Sequence, residues 1–109
     1  MAYDEGLAQR IEKALGGQPE LVGKKMFGGI GYMLRGNMAC GINQESLIVR
    51  VGPEQYQKAL DHPHTRPFDM TGRPMKGWVM VRPEGTQSDT DLEDWIRQGV
   101  EFALTLPAK

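Results

Sequence analysis

The sequence predicts a two-layer α+β domain, an antiparallel sheet with helices packed mainly on one side, in the order α-β-β-β-α-β-β-α. Three observations lead there. Apolar residues recur at helical spacing at both ends of the chain, they alternate with period two in its middle, and short turns join the alternating segments. At 109 residues the chain fits one domain, residues 1-109, with one core.

Asp4 to Leu15 reads as an amphipathic helix. Leu7, Ile11, Ala14 and Leu15 fall on one face, Asp4 is a natural N-cap, and Gly16-Gly17 ends the helix. Gln18 to Gly23, with Pro19, reads as a connector. Lys24 to Ile42 then reads as a β-hairpin turning at a three-residue loop, Arg35-Gly36-Asn37. That register sets Leu34 against Met38, Tyr32 against Cys40 and Ile30 against Ile42 on an apolar face. The other face sets Met33 against Ala39 and Gly31 against Gly41. Glycine weakens a strand, so this bare face calls for a bulge, a bend or a close neighbour.

Asn43 to Ser46 is a second turn, and Leu47 to Val51 a third strand. Ile48 lies opposite Leu47, Val49 and Val51, so this strand should be interior and partly covered on both faces. Pro53 and Glu54 suit a helix start that carries Tyr56, Ala59 and Leu60. The helix stops near Asp61, because Pro63 pushes His62 out of the α region. Residues 62–77 are irregular, with Phe68 to Met70 as a short edge strand where Pro67 is tolerated. Gly77 to Arg82 is the last strand. Ser88 caps the longest helix, which runs to Leu106 with the stripe Leu92, Trp95, Ile96, Gly99, Val100 and Ala103.

No apolar run approaches the ~20 residues a membrane helix needs. The acidic start Met1-Ala2-Tyr3-Asp4-Glu5 lacks the order of a signal peptide. The single cysteine, Cys40, excludes an internal disulfide framework, and the expected location is the cytoplasm. Net charge is −1, but it is unevenly spread. Residues 24–82 hold nine Lys/Arg against four Asp/Glu, and the flanks hold four against ten. Acidic outer helix faces and a basic sheet face that are simply solvated explain this; the alternative is a basic sheet surface for an anionic partner.

The sequence carries no catalytic constellation, so no enzymatic activity, cofactor or metal is expected. His62 and His64 lie near Asp61 and Asp69, but Pro63 separates them and no third histidine exists. Cys40 pairs with Tyr32 on the apolar face and reads as a buried, inert thiol. Gly28-Gly29-Ile30-Gly31 lacks both the third glycine of a dinucleotide loop and a helix after it. Arg66, Arg73 and Lys76 accompany Phe68 and Trp78, a mixture that can hold single-stranded nucleic acid. The simpler reading packs Trp78 in the core and sets the arginines on nearby carbonyls and carboxylates. With Lys25, these residues (Lys25, Arg66, Arg73, Lys76 and Trp78) are the candidate contacts.

Four motifs occur in series: Lys24-Lys25-Met26-Phe27-Gly28-Gly29, Gly36-Asn37-Met38, Arg50-Val51-Gly52-Pro53-Glu54 and Arg66-Pro67-Phe68-Asp69-Met70-Thr71-Gly72-Arg73-Pro74-Met75-Lys76-Gly77-Trp78. Together they resemble the N-terminal domain of the TfoX/Sxy family over nearly the whole chain. The resemblance implies a bacterial protein with a fold like that of the type III secretion-chaperone group. It also implies a role like that of the family's regulators of natural competence, which activate DNA-uptake genes. Those members carry a second, helical domain, so this chain is expected to be a stand-alone N-terminal domain. The family pattern assigns no catalytic residues. The expected function is a non-enzymatic regulatory or protein-interaction module, binding a protein partner or a second copy of itself. The alternative is nucleic-acid binding through the basic sheet region and the 62–77 loop.

Overall fold

The computed structural model describes residues 4–16, 21–26, 29–68 and 75–108. Three α-helices and six strands follow in the order α1 (Glu5–Ala14), β1 (Leu21–Met26), β2 (Gly29–Leu34), β3 (Asn37–Asn43), β4 (Ser46–Arg50), α2 (Tyr56–Leu60), β5 (Thr65–Pro67), β6 (Trp78–Val81) and α3 (Asp89–Leu104). A 3-10 turn at Pro83–Thr86 leads into α3. The strands form one antiparallel sheet, ordered β1-β2-β3-β4-β6-β5. The α+β class and the two-layer arrangement are as expected. β4 is interior, as its two apolar faces required.

The helices form where their end signals lie. Asp4 caps α1, its Oδ1 accepting from the Leu7 N–H at 3.1 Å. Ser88 caps α3, its Oγ accepting from the Asp91 N–H at 3.1 Å. The six stripe residues of α3 are all buried, and α3 packs against β3 and β4. Gly99 allows that approach, since a Cβ there would run into the backbone carbonyl of Ala39. α2 is shorter than expected, because residues 53–55 form a turn ahead of it.

The strands depart from expectation in three places. The first strand of the expected hairpin is really two: β1 and β2 are antiparallel, with Met26 opposite Gly29. Residues 21–23, expected in a connector, belong to β1, an edge strand with Val22 62% exposed. Both of its faces are exposed from Val22 to Lys25, so it lacks the alternation that one buried face produces. The β2–β3 turn holds two residues, not three. Arg35 (φ 55°) and Gly36 (φ 85°) are both left-handed, the geometry of a type I′ turn, so Leu34 faces Asn37 and Met33 faces Met38. A bulge then shifts the register, with Ala39 as the extra residue, and the expected Tyr32–Cys40 and Ile30–Ile42 pairs return. The third departure is β5, which covers Thr65–Pro67 and leaves out Phe68, while Asp69 lies outside the described residues. Pro67 does lie on the edge, and Met70 is outside the described residues.

The main core lies between the sheet and the helices α1 and α3. It includes Ile11, Tyr32, Leu34, Cys40, Ile42, Leu47, Val49, Val79, Val81, Leu92 and Ile96. Burial pushes the Cys40 thiol up to about 12, as suits an inert thiol. A smaller cluster of Ile48, Phe68 and Met80 occupies the opposite face, flanked by Met38 and Trp78. Met38 therefore joins this second cluster and not Leu34 on the helix side.

Candidate functional site

The strand register sorts the sheet into rows. Lys25, Ile30, Ile42, Leu47, Val81 and Thr65 form one row beneath the helices. Its neighbour on the same face runs from Gly23 through Tyr32, Cys40, Val49 and Val79 to Pro67. On the opposite face Lys24, Gly31, Gly41, Ile48, Met80 and Arg66 cross all six strands. That row is glycine in its middle and cationic at its two ends. At about 4.8 Å per strand step it spans roughly 24 Å.

Gly41 of this row is roofed by the chain's own Met38. A Cβ at Gly41 would stand 2.6 Å from the Met38 Cε and 2.6 Å from the Ile30 carbonyl oxygen. The bare face expected to await a neighbour thus has one in the adjacent thioether. Glycine at 41 makes room for methionine to reach the Ile48, Phe68 and Met80 cluster.

Beside this row lies a second feature. Trp78 is half-buried and opposite Arg50 in the register. The Arg50 guanidinium lies 5.1 Å from the centroid of the Trp78 ring and 5.4 Å from that of Phe102 on α3. This is cation–π geometry on two sides. Phe68 adds a tilted ring 6.0 Å from Trp78. The Phe68 N–H donates to the Trp78 carbonyl and the Met75 N–H to the Phe68 carbonyl, so the chain on either side of 69–74 is held back against β6. Met75 and Lys76 remain exposed at this end.

The candidate contacts therefore divide. Arg66 and Trp78 share the second face, and exposed Lys76 lies two residues before Trp78. Arg73 lies outside the described residues. Lys25 is on the helix side of the register and on the opposite edge strand, so it does not join them. The lysine that shares their face is its neighbour Lys24. Arg50 belongs to the same surface, and Arg82, exposed just past β6, continues the alternation of Trp78 and Met80. Composition hinted at these three, but choosing between Lys24 and Lys25 needs the register.

The charge segregates by layer. The six strands contain Lys24, Lys25, Arg50 and Arg66 and no Asp or Glu. Helix α3 carries Asp89, Asp91, Glu93, Asp94 and Glu101 against Arg97 alone. Arg97 pairs with Asp94 at 2.9 Å. Arg10 of α1 reaches Asp89 at 3.1 Å and donates to the Thr86 carbonyl at 2.8 Å, tying α1 to the start of α3.

The two histidines sit elsewhere. His62 meets Trp95 edge-on, with ring centroids 5.0 Å apart, at a cleft of about 370 Å³ that His64, Glu84 and Asp91 also line. Among the described residues no three His, Cys, Asp or Glu side chains are grouped to hold a metal ion. Among the same residues no helix is long and apolar enough to cross a membrane.

A family model described as the TfoX N-terminal domain matches residues 13–103. No curated protein and no solved structure matches the chain.

Proposed function

The chain belongs to the TfoX N-terminal domain family, and from that premise we propose a non-enzymatic regulatory module that acts by holding a protein partner or a second copy of itself. The supporting observation is the unequal use of the two sheet faces. The helix side is filled by its own core, whereas the second side keeps Trp78, Met75 and several cations within reach of solvent. Trp, Met and Arg are enriched in protein interfaces. By likeness to the family's competence regulators, the output is control of DNA-uptake genes in a bacterial cytoplasm.

The test is retention of a specific partner from native lysate by the wild-type chain and its loss in an Arg66→Glu/Arg82→Glu variant. Recovery of nothing specific by the wild type removes the reading. Light scattering across concentration decides self-association, and a strict monomer at high concentration removes that part.

The strands' lack of carboxylates supports a second reading, nucleic-acid binding on the same face. Titration of labelled DNA and RNA tests it. Affinity should fall steeply as salt rises, and no binding at low salt ends it.

A further inference from the structure

We propose that the second face is a docking surface for an acidic segment of a protein partner anchored by apolar side chains; this rests on the interaction-module reading above. Two properties of the face select that chemistry. The first is charge complementarity. The strands present only cations, while the carboxylates of α3 lie in the opposite layer. The second is shape by residue type. Trp78 and exposed Met75 lie beside buried Ile48, Phe68 and Met80; Arg66 is opposite Met80 in the register, Arg82 follows two residues after Met80, and Arg50 lies over Trp78. An apolar centre with a polar rim is the anatomy of a protein–protein contact. Guanidinium groups on the rim suit carboxylates, which they bind through paired N–H donors.

The same details disfavour a nucleic-acid strand. Arg50 already lies over the Trp78 ring, so the indole is not a bare platform for base stacking. Phe68 is buried. The net charge of −1 gives no general attraction for a long polyanion. A short acidic segment needs only the local cations and gains exposed Met75 and the open part of Trp78 as apolar contacts.

The probe is a fluorescein-labelled octapeptide mixing Glu and Asp with Leu and Phe, followed by anisotropy with the full chain. Three comparison ligands accompany it: the same peptide with Gln and Asn for its acids, oligoglutamate of equal length, and oligothymidine. The acidic apolar peptide should bind saturably, and the amide peptide and oligoglutamate should each bind at least about tenfold more weakly. Arg66→Glu/Arg82→Glu should weaken the acidic apolar peptide at least about tenfold, while Lys13→Glu on α1 should leave it unchanged. Arg66, Arg82 and Lys13 are all exposed, so circular dichroism and the unfolding midpoint should match wild type and show that each variant folds. Equal binding of oligoglutamate overturns the proposal in favour of charge alone. Tighter binding of oligothymidine, lost in the same double variant, overturns it in favour of nucleic acid. If no peptide binds at low salt while the lysate partner is still retained, the module reading stands and the acidic chemistry is wrong. If both fail, both fall.

Discussion

The two faces of one sheet are built to different standards. Beneath the helices, Leu47, Val49, Val79 and Val81 are fully buried, and α1 and α3 close over them. On the other side, among the described residues, adjacent positions of the same strands meet a three-residue cluster, a roofing methionine and a half-buried tryptophan. Backbone geometry is shared, so the contrast comes from what each face was given to pack against. The helices bring the large apolar surface that dominates folding energy. Among the described residues the second side has Phe68, Met38 and Trp78 around Ile48 and Met80, and it keeps cations where the first side keeps aliphatic groups.

Truncation on the two sides of β4 is the strongest way to break this contrast. Leu47→Ala should cost ~4 kcal/mol, high in the range for a buried leucine, and Ile48→Ala ~2 kcal/mol, at its low end. Denaturant unfolding of both variants measures the difference. Equal losses would mean that the second cluster is a full core and not a surface layer.

Gly99→Ala probes how closely the helix layer sits. The added methyl meets the Ala39 carbonyl, so α3 must shift, at about 1–3 kcal/mol by the same measurement. A neutral result would show that α3 can move off the bulge without loss.

Cys40 gives the covered face a signature in pH. Its folded pKa, about 12, lies above its ordinary 9.0. The unfolded chain therefore loses its thiol proton first as pH rises, and stability present below pH 9 is lost above it. The loss should approach about 1.4 kcal/mol per pH unit over that window. Cys40→Ala should flatten this slope, measured as unfolding free energy against pH. An unchanged slope would assign the alkaline loss to other groups.

Arg66→Ala should be the mildest, changing stability by less than about 0.5 kcal/mol because the side chain is exposed on an edge strand. A larger loss would make Arg66 part of the second face's structure and sharpen the boundary between scaffold and contact surface.

How far these features could be read in advance follows the same division. The caps and buried stripe of α3 were legible, because helix periodicity and end chemistry are written within a few residues. The interior character of β4 was legible from Ile48 set opposite Leu47, Val49 and Val51. β1 was not, because an edge strand exposed at Val22, Gly23, Lys24 and Lys25 leaves no alternation to find. The short turn was hidden by Arg35, a residue that rarely takes a left-handed φ. The Ala39 bulge adjoins Gly99, sixty residues away in sequence, and no local pattern announces such a contact. The candidate surface was half legible. Its residue types were visible in the Arg66–Trp78 segment, but its membership depends on register, and one residue's difference exchanges Lys25 for Lys24.

The protein's two tryptophans fall one to each face: Trp95 on the buried side of α3 in the main core, and Trp78 beside the smaller cluster. The molecule thus carries a built-in pair of optical reporters. Light emitted by buried Trp95 should follow the integrity of the fold, while Trp78, half-buried beside Arg50, should respond to a ligand if one binds the cationic side. Replacing either by phenylalanine isolates the other's signal, so occupancy and unfolding can be followed separately in one unlabelled sample.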